Sequence, residues 1–413
     1  MKRITLSVIA ALSLTNAFSS TVSADDSFTL FSNAKFNGEV RTRYENVDVQ
    51  NSTKNDANAY TVRATVGLEA NLFGLDALSM KVDGTTVQSL GDQSYNSTTN
   101  GMTGYQVVKD PEQTRFSQAY LQYKLGKTVA KVGRQIVNLD NERFIGSVDW
   151  RQMMQSFDAA VISDTSIENL TLTGGYIWGI DGILNIPSTK TDSIIMNGSY
   201  KFTDVLKVTA YDYMLSSLHD TIGLALTGDV PVAGAKIAYR GEYATQGDAS
   251  RDTSGVVVTP TTGKANAYYY NLDALANISG VLVGAGYEVL SGSNGIDGKT
   301  AFSTPLATLH KFNGWADMFL ITPLGGLHDA SATLGYTDPT LGKAMVVYHD
   351  FTTDLAMAGK SDLGKEWDML YSNNIPGVKG LNGLVKAAYY KAGDVTSFTA
   401  NASKVWLQLD YKF

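Results

Sequence analysis

AYTVRATVGLEANL, residues 59–72, alternates without a break. Tyr60, Val62, Ala64, Val66, Leu68, Ala70 and Leu72 fall on one face, and Thr61, Arg63, Thr65, Gly67, Glu69 and Asn71 on the other. Successive side chains of a β-strand point to opposite sides, so this stretch has one apolar and one polar face. It outruns the ordinary globular strand of about five or six residues. A tilted strand crossing a bilayer needs that length. Residues 36–45 repeat the pattern, with Phe36, Val40 and Tyr44 set against Glu39, Arg41, Arg43 and Glu45.

Carried along the chain, the same reading predicts an all-β fold, a transmembrane antiparallel up-and-down β-barrel of about eighteen strands running from residues 34–47 to residues 402–413. The connections alternate between tight turns, such as Gly126-Lys127 and Thr203-Asp204, and long polar excursions at 88–113, 139–155, 245–264 and 291–326. Residues 312–321 could be extended, but a strand there would swap long for short connections afterwards, so they are assigned to the outer loop. In the last strand Val405, Leu407, Leu409, Tyr411 and Phe413 share one face, while Lys404, Gln408, Asp410 and Lys412 share the other, with Trp406 as the exception. A bilayer tolerates no free sheet edge, so this strand is expected to pair with residues 34–47 and close the tube. Tyr44, Tyr60, Trp178, Tyr200, Tyr243, Tyr268, Trp367, Tyr371 and Tyr389 lie near strand ends and fit two aromatic girdles at the headgroups.

Composition agrees. Lys2 and Arg3, the apolar run 4–14 and the small residues up to Val22-Ser23-Ala24 read as a secretory signal peptide, residues 1–24, leaving residues 25–413 as one barrel domain. Its removal takes the formal charge from −7 to about −9, by loss of two cations, which argues against nucleic acid as a partner. The chain has no cysteine, so burial and backbone pairing must hold it. No later run approaches the roughly 18 apolar residues of a membrane helix.

Long connections can fold back into such a tube. The stretch KVGRQIVNLDNERFIGSVDWRQMMQSFDAA, residues 131–160, mixes Lys131, Arg134, Arg143, Arg151, Asp140, Glu142, Asp149 and Asp158 with Phe144, Ile145, Val148, Trp150 and Phe157. Large apolar groups are costly on a wet loop, so residues 139–155 are expected to fold inward. There Arg143, Asp149 and Arg151 would narrow the bore and set a transverse field. The remaining expected lining is Arg41, Arg43, Arg63, Lys131, Asp158, Arg240 and Glu242. If the first hairpin is symmetric about its loop, Arg43 and Arg63 lie at one height with Arg41 a step below. They then need a carboxylate, Glu39 or Glu45, or a passing anion between them, or else an acidic residue of the inward loop such as Asp149.

GRQ at 133–135, ERFIG at 142–146, WRQ at 150–152, FDA at 157–159, FNGWAD at 312–317, YHDF at 348–351 and GKEWD at 364–368 resemble the alginate-export type of outer-membrane porin, and more broadly the substrate-selective porins. Phe413 resembles the C-terminal signal that the outer-membrane assembly machinery reads. The resemblance implies a channel, monomeric or oligomeric up to a trimer, in the outer membrane of a Gram-negative bacterium, in contact with lipid and lipopolysaccharide and passing small hydrophilic solutes. It implies no cofactor and no metal. The inward faces carry acids as well as bases, unlike the strongly basic lumen a polyanion exporter would need.

Two other functions are weighed. An outer-rim hydrolase would use histidine; His349 and Asp350 are strand neighbours pointing apart, leaving His310 with Asp317 as the candidate pair. A receptor or adhesin would use loops 88–113 and 291–326.

Overall fold

The computed structural model describes residues 29–251, 267–293 and 300–413. The predicted signal peptide, 1–24, and parts of the predicted loops 245–264 and 291–326 lie outside them.

Eighteen strands follow one another: β1 (Phe31–Val49), β2 (Ala57–Leu72), β3 (Leu75–Ser89), β4 (Gln113–Leu125), β5 (Thr128–Gln135), β6 (Ser156–Asp164), β7 (Leu170–Asp181), β8 (Thr189–Thr203), β9 (Leu206–Leu215), β10 (His219–Val232), β11 (Ala235–Gly247), β12 (Ala267–Ile278), β13 (Val281–Leu290), β14 (Leu327–Asp338), β15 (Gly342–Met357), β16 (Lys360–Asn374), β17 (Leu381–Ala392) and β18 (Ala402–Lys412). Each pairs antiparallel with its neighbour in sequence, and β18 pairs with β1 from Glu39↔Lys412 to Val49↔Ala402. The sheet is a closed ring, as the alternation predicts. Residues 312–321 form no strand; a 3-10 turn, Leu309–Lys311, precedes them.

Side chains sort by face. On β2, Arg63 is fully buried while Tyr60 is 50% exposed, and on β10 the outward Ile222 reaches 61%. Phe116, Leu121, Val132, Ile162, Leu272, Leu334, Met369 and Leu409 join this apolar exterior. So large an apolar surface is stable against lipid and not against water. All the girdle aromatics lie outside, with Tyr44 packed on Tyr60 at 4.6 Å between ring centroids.

The first hairpin differs from the symmetric expectation. Arg41 stands directly opposite Arg63, and Arg43 opposite Thr61. The turn is centred one residue earlier than assumed, with Asn51 in the left-handed region at φ 57°, and that shift moves the register by two. An even shift preserves the faces, so all three arginines still point inward.

Trp406 also points inward, completely buried. Its place on the polar face is therefore regular alternation: the interior of this tube contains a second, internal core. Phe144, Ile145, Phe157, Tyr211, Tyr213, Tyr269, Phe302, Phe351, Tyr390 and Trp406 belong to it. It exists because the loops between β5 and β6 and between β13 and β14 turn into the bore.

Wall glycines are not interchangeable. A Cβ on Gly228 of β10 would collide with the Val205 carbonyl of the neighbouring turn, whereas one on Gly174 of β7 meets nothing within 4 Å. Gly228→Val is expected to cost about 1–3 kcal/mol and Gly174→Ala to stay within about 0.5 kcal/mol of wild type. Urea titration of the lipid-reconstituted barrel, read by loss of its folded electrophoretic form, separates the two.

Candidate functional site

The segment 136–155 leaves the wall at β5 and returns at β6, yet its partners stand across the tube. Arg143 reaches β13, eight strands on in the eighteen-stranded ring and nearly diametrically opposite. There its Nε donates to Glu288 Oε1 at 2.8 Å, and its Nη2 donates to Asn313 at 3.0 Å. Asp149 reaches the other way, accepting from Arg63 Nη1 at 2.8 Å, while its carbonyl accepts from Arg41 Nη1 at 2.7 Å. Arg151 donates to Glu45 at 3.0 Å and Asp317 at 3.1 Å. Gln152 donates from its side chain to Thr61 Oγ1 and from its backbone to Asp110, each at 2.8 Å.

These contacts settle what the opposed arginines do. Glu39 pairs with Arg63 and with Arg41, the latter at 3.4 Å, and Arg41 also donates to Asp410 at 3.1 Å. Like charges face each other across two strands, and three carboxylates, Glu39, Asp149 and Asp410, are shared among them. Arg43 donates to Gln408 at 2.6 Å and lies over the Trp150 ring at 4.1 Å.

Residues 300–326 cross beside the first segment. Asn313 donates to Glu288 at 2.6 Å and Asp329 at 3.2 Å. Gly314 sits at φ +82°, and a Cβ there would come within 2.6 Å of the Glu366 carboxyl, so the turn needs glycine for both conformation and clearance. Beyond it the backbone amides of Trp315 and Ala316 donate to Asp368 at 3.0 Å and Glu366 at 2.6 Å. Asp317 accepts from Lys404 at 2.8 Å and pairs with His310 Nδ1 at 2.6 Å. The two segments meet where Ile145 bridges Leu306 and where the Trp150 and His310 rings stack 4.3 Å apart.

The arrangement follows charge. Lys386, Lys404, Arg41, Arg43 and Arg63 form a basic arc on β17, β18, β1 and β2, tempered by Glu39, Glu45 and Asp410. Glu242, Asp273, Glu288, Asp329, Glu366 and Asp368 form an acidic arc from β11 to β16. Each inward segment presents an acid, Asp149 or Asp317, to the basic arc. Each presents a donor, Arg143 or Asn313, to the acidic one.

The other expected lining residues are placed as follows. Arg240 pairs with Glu242 at 2.7 Å, and Glu242 also accepts from Tyr211 at 2.7 Å. Lys131 lies half-buried 5.0 Å from the centre of the Tyr120 ring. Asp158 falls between Phe157 and Ala159, both fully buried, and so on the opposite strand face, where it binds Arg134 at 2.8 Å. Arg143 and Arg151 are buried and paired, so their charge holds the loop in place, whereas the Asp149 side chain is 50% exposed. His349 and Asp350 do point apart: His349 pairs with Asp329 at 2.8 Å, and Asp350 with Lys365 at 3.7 Å outside. His310 and Asp317 do meet, but they are buried, and the other His310 nitrogen faces Lys386 at 2.7 Å. Lys386 carries no motif of its own, whereas Glu288 falls on an inward face by parity and Trp315 lies within FNGWAD. The inward parity of Lys386 in residues 383–391 was the available signal.

This is a closed eighteen-stranded transmembrane-type β-barrel with two segments folded across its bore. The alginate-export family profile matches residues 32–206. No curated protein sequence matches the chain. Among solved structures the chain is similar to Pseudomonas aeruginosa OccK8 (OprE), with 15% identity, TM-score 0.71, and 93% of this chain and 99% of that one covered. It is similar to P. aeruginosa OpdK with vanillate, with 12% identity, TM-score 0.71 and 93% and 100% covered. It is also similar to Acinetobacter baumannii OccAB4, with 15% identity, TM-score 0.69 and 93% and 98% covered. The whole barrel fold is shared with these proteins.

Two outcomes follow for the loop contacts. Arg143→Met leaves Glu288 buried without its cation, an imbalance of about 3–5 kcal/mol, and is expected to free residues 136–155 for proteolysis from outside. Burial would raise the Asp149 carboxyl, but Arg63 and then Arg41 outweigh it and hold the group below its ordinary value. A depressed carboxylate contributes fully above its ordinary pKa of about 4 and loses its contribution as pH falls through the lower value. The proteolysis pattern should therefore be constant from neutrality to about pH 4 and change only in stronger acid.

Proposed function

We propose that the protein forms a water-filled channel in the outer membrane of a Gram-negative bacterium, through which small hydrophilic solutes diffuse down their own gradients. The observation that carries this reading is the pairing of an apolar exterior with a charged interior, crossed by loops that the walls hold at opposite sides of the bore. Such loops narrow a tube and leave its polar face to water. The basic and acidic arcs occupy neighbouring sectors of the wall that meet between β16 and β17, so a solute passing the crossing meets an uneven transverse field that discriminates by charge and dipole. The likeness in fold to OpdK, solved with vanillate, supports a small organic solute as cargo.

Asp149 is an acid of the loop that water reaches and that faces the basic arc, and it is the residue through which selectivity is best tested. Purified protein in planar bilayers is expected to give stepwise conductance. Asp149→Lys should move the reversal potential under a salt gradient toward anions, by a few-fold in permeability ratio. Insertion without any conductance would remove the channel reading.

A further inference from the structure

The chain has five tryptophans, and the structure divides them. Trp178 and Trp367 face outward, 38% and 48% exposed. The other three come from separate parts of the chain: Trp150 from the first inward segment, Trp315 from the second, and Trp406 from β18. All three surround one side chain, with ring centres 4.3 Å, 3.7 Å and 5.5 Å from Lys386 Nζ. The same nitrogen lies 2.7 Å from His310 Nε2. His310 turns Nδ1 to Asp317, so Nε2 is the acceptor and Lys386 the donor.

Lys386 is 5% exposed, and among the described residues no carboxylate lies within ion-pair distance of its nitrogen. A buried ammonium with no carboxylate in direct contact is costly unless something else receives it. Here three indole faces and an imidazole nitrogen do so, and a cation over an aromatic face is attracted most strongly where water is excluded. The rings gain as well. Trp150 lies against the His310 ring and carries Arg43 over its face, while Trp406 meets both Trp150 and His310 edge-on.

We infer that Lys386 is a positioning residue whose ammonium, standing on the wall, clamps both inward segments in place and so sets the width of the crossing. Only the consequence for width rests on the channel reading; the clamp itself does not.

Lys386→Met keeps the length and bulk of the side chain and removes its charge, while Lys386→Arg keeps the charge. In the reconstituted full-length barrel, Lys386→Met is expected to increase proteolysis of residues 136–155 and 291–326 about tenfold, since cleavage follows the open population. It should also raise acrylamide quenching of tryptophan emission and enlarge the single-channel conductance, and Lys386→Arg should return all three toward wild type. A space-filling role would leave Lys386→Met unchanged in quenching and proteolysis, and that result overturns the proposal, as does an arginine variant that behaves like methionine. Should Lys386→Met fail to form the barrel, Trp315→Leu removes one wall of the cage without touching a strand. It must then show the same quenching and proteolysis for the proposal to stand. A wild-type barrel that passes no current would end the channel reading while leaving quenching and proteolysis to decide the clamp.

Discussion

Lipid offers no partner to a peptide group, and that constraint decides the architecture. Every strand of this chain must find its hydrogen bonds sideways, and the first must find them on the last. The β1–β18 pairing makes that possible. Once the ring is closed, the alternating side chains have two environments: Val, Leu and Ile face lipid, and Arg, Asp and Glu face a space of the protein's own making. Everything in the bore depends on this sorting, since a wall with its charges outward could not hold charged loops inside.

The interior is then organised by opposite charge. Many of its charged groups, Arg63, Arg143 and Glu366 among them, are buried between wall and inward segments, where an unpaired ion is costly and a satisfied network is rigid. The two inward segments act as bridges between arcs of opposite sign, and their apolar residues, Phe144, Trp150 and Trp315, fill the volume between the ionic contacts. The motif FNGWAD illustrates the economy of this arrangement. Phe312 lies under the Arg143 guanidinium at 4.7 Å, Asn313 joins two wall acids, Gly314 clears Glu366, Trp315 covers Lys386, and Asp317 binds both Lys404 and Arg151.

The fold was legible because its signal is short-ranged and repeated. Alternation between neighbouring residues identifies a strand without knowledge of its partner, and the count of eighteen and the closure of the last strand on the first are as the pattern predicts. The site was legible in part. Arg41, Arg43 and Arg63 could be assigned to the interior by parity, and Asp149 could be named as their partner, because face and charge are local properties. The opposition of Arg41 to Arg63 could not be derived, since it turns on where one turn is centred. Asp158 sits in a short strand flanked by a bulge, where parity is a weak guide. Lys386 could be placed inside by parity, but its role could not be read, for a different reason. Its environment is assembled from three distant segments, and a lysine between Val385 and Ala387 carries no local sign of the indoles around it. Trp406 did carry such a sign, as an aromatic among charged residues, although alternation alone makes it only an exception and the internal core that explains it is seen in the structure.

The loops bind residues far away in the chain. Arg41 and Asp149 are separated by 108 positions, Arg143 and Glu288 by 145, and Arg151 and Asp317 by 166. Each contact joins sectors of the cylinder that are brought within reach of one another only by the closed wall. The bore is thus furnished by its own enclosure: the seam between first and last strand, which touches lipid, also fixes where the crossing segments can rest.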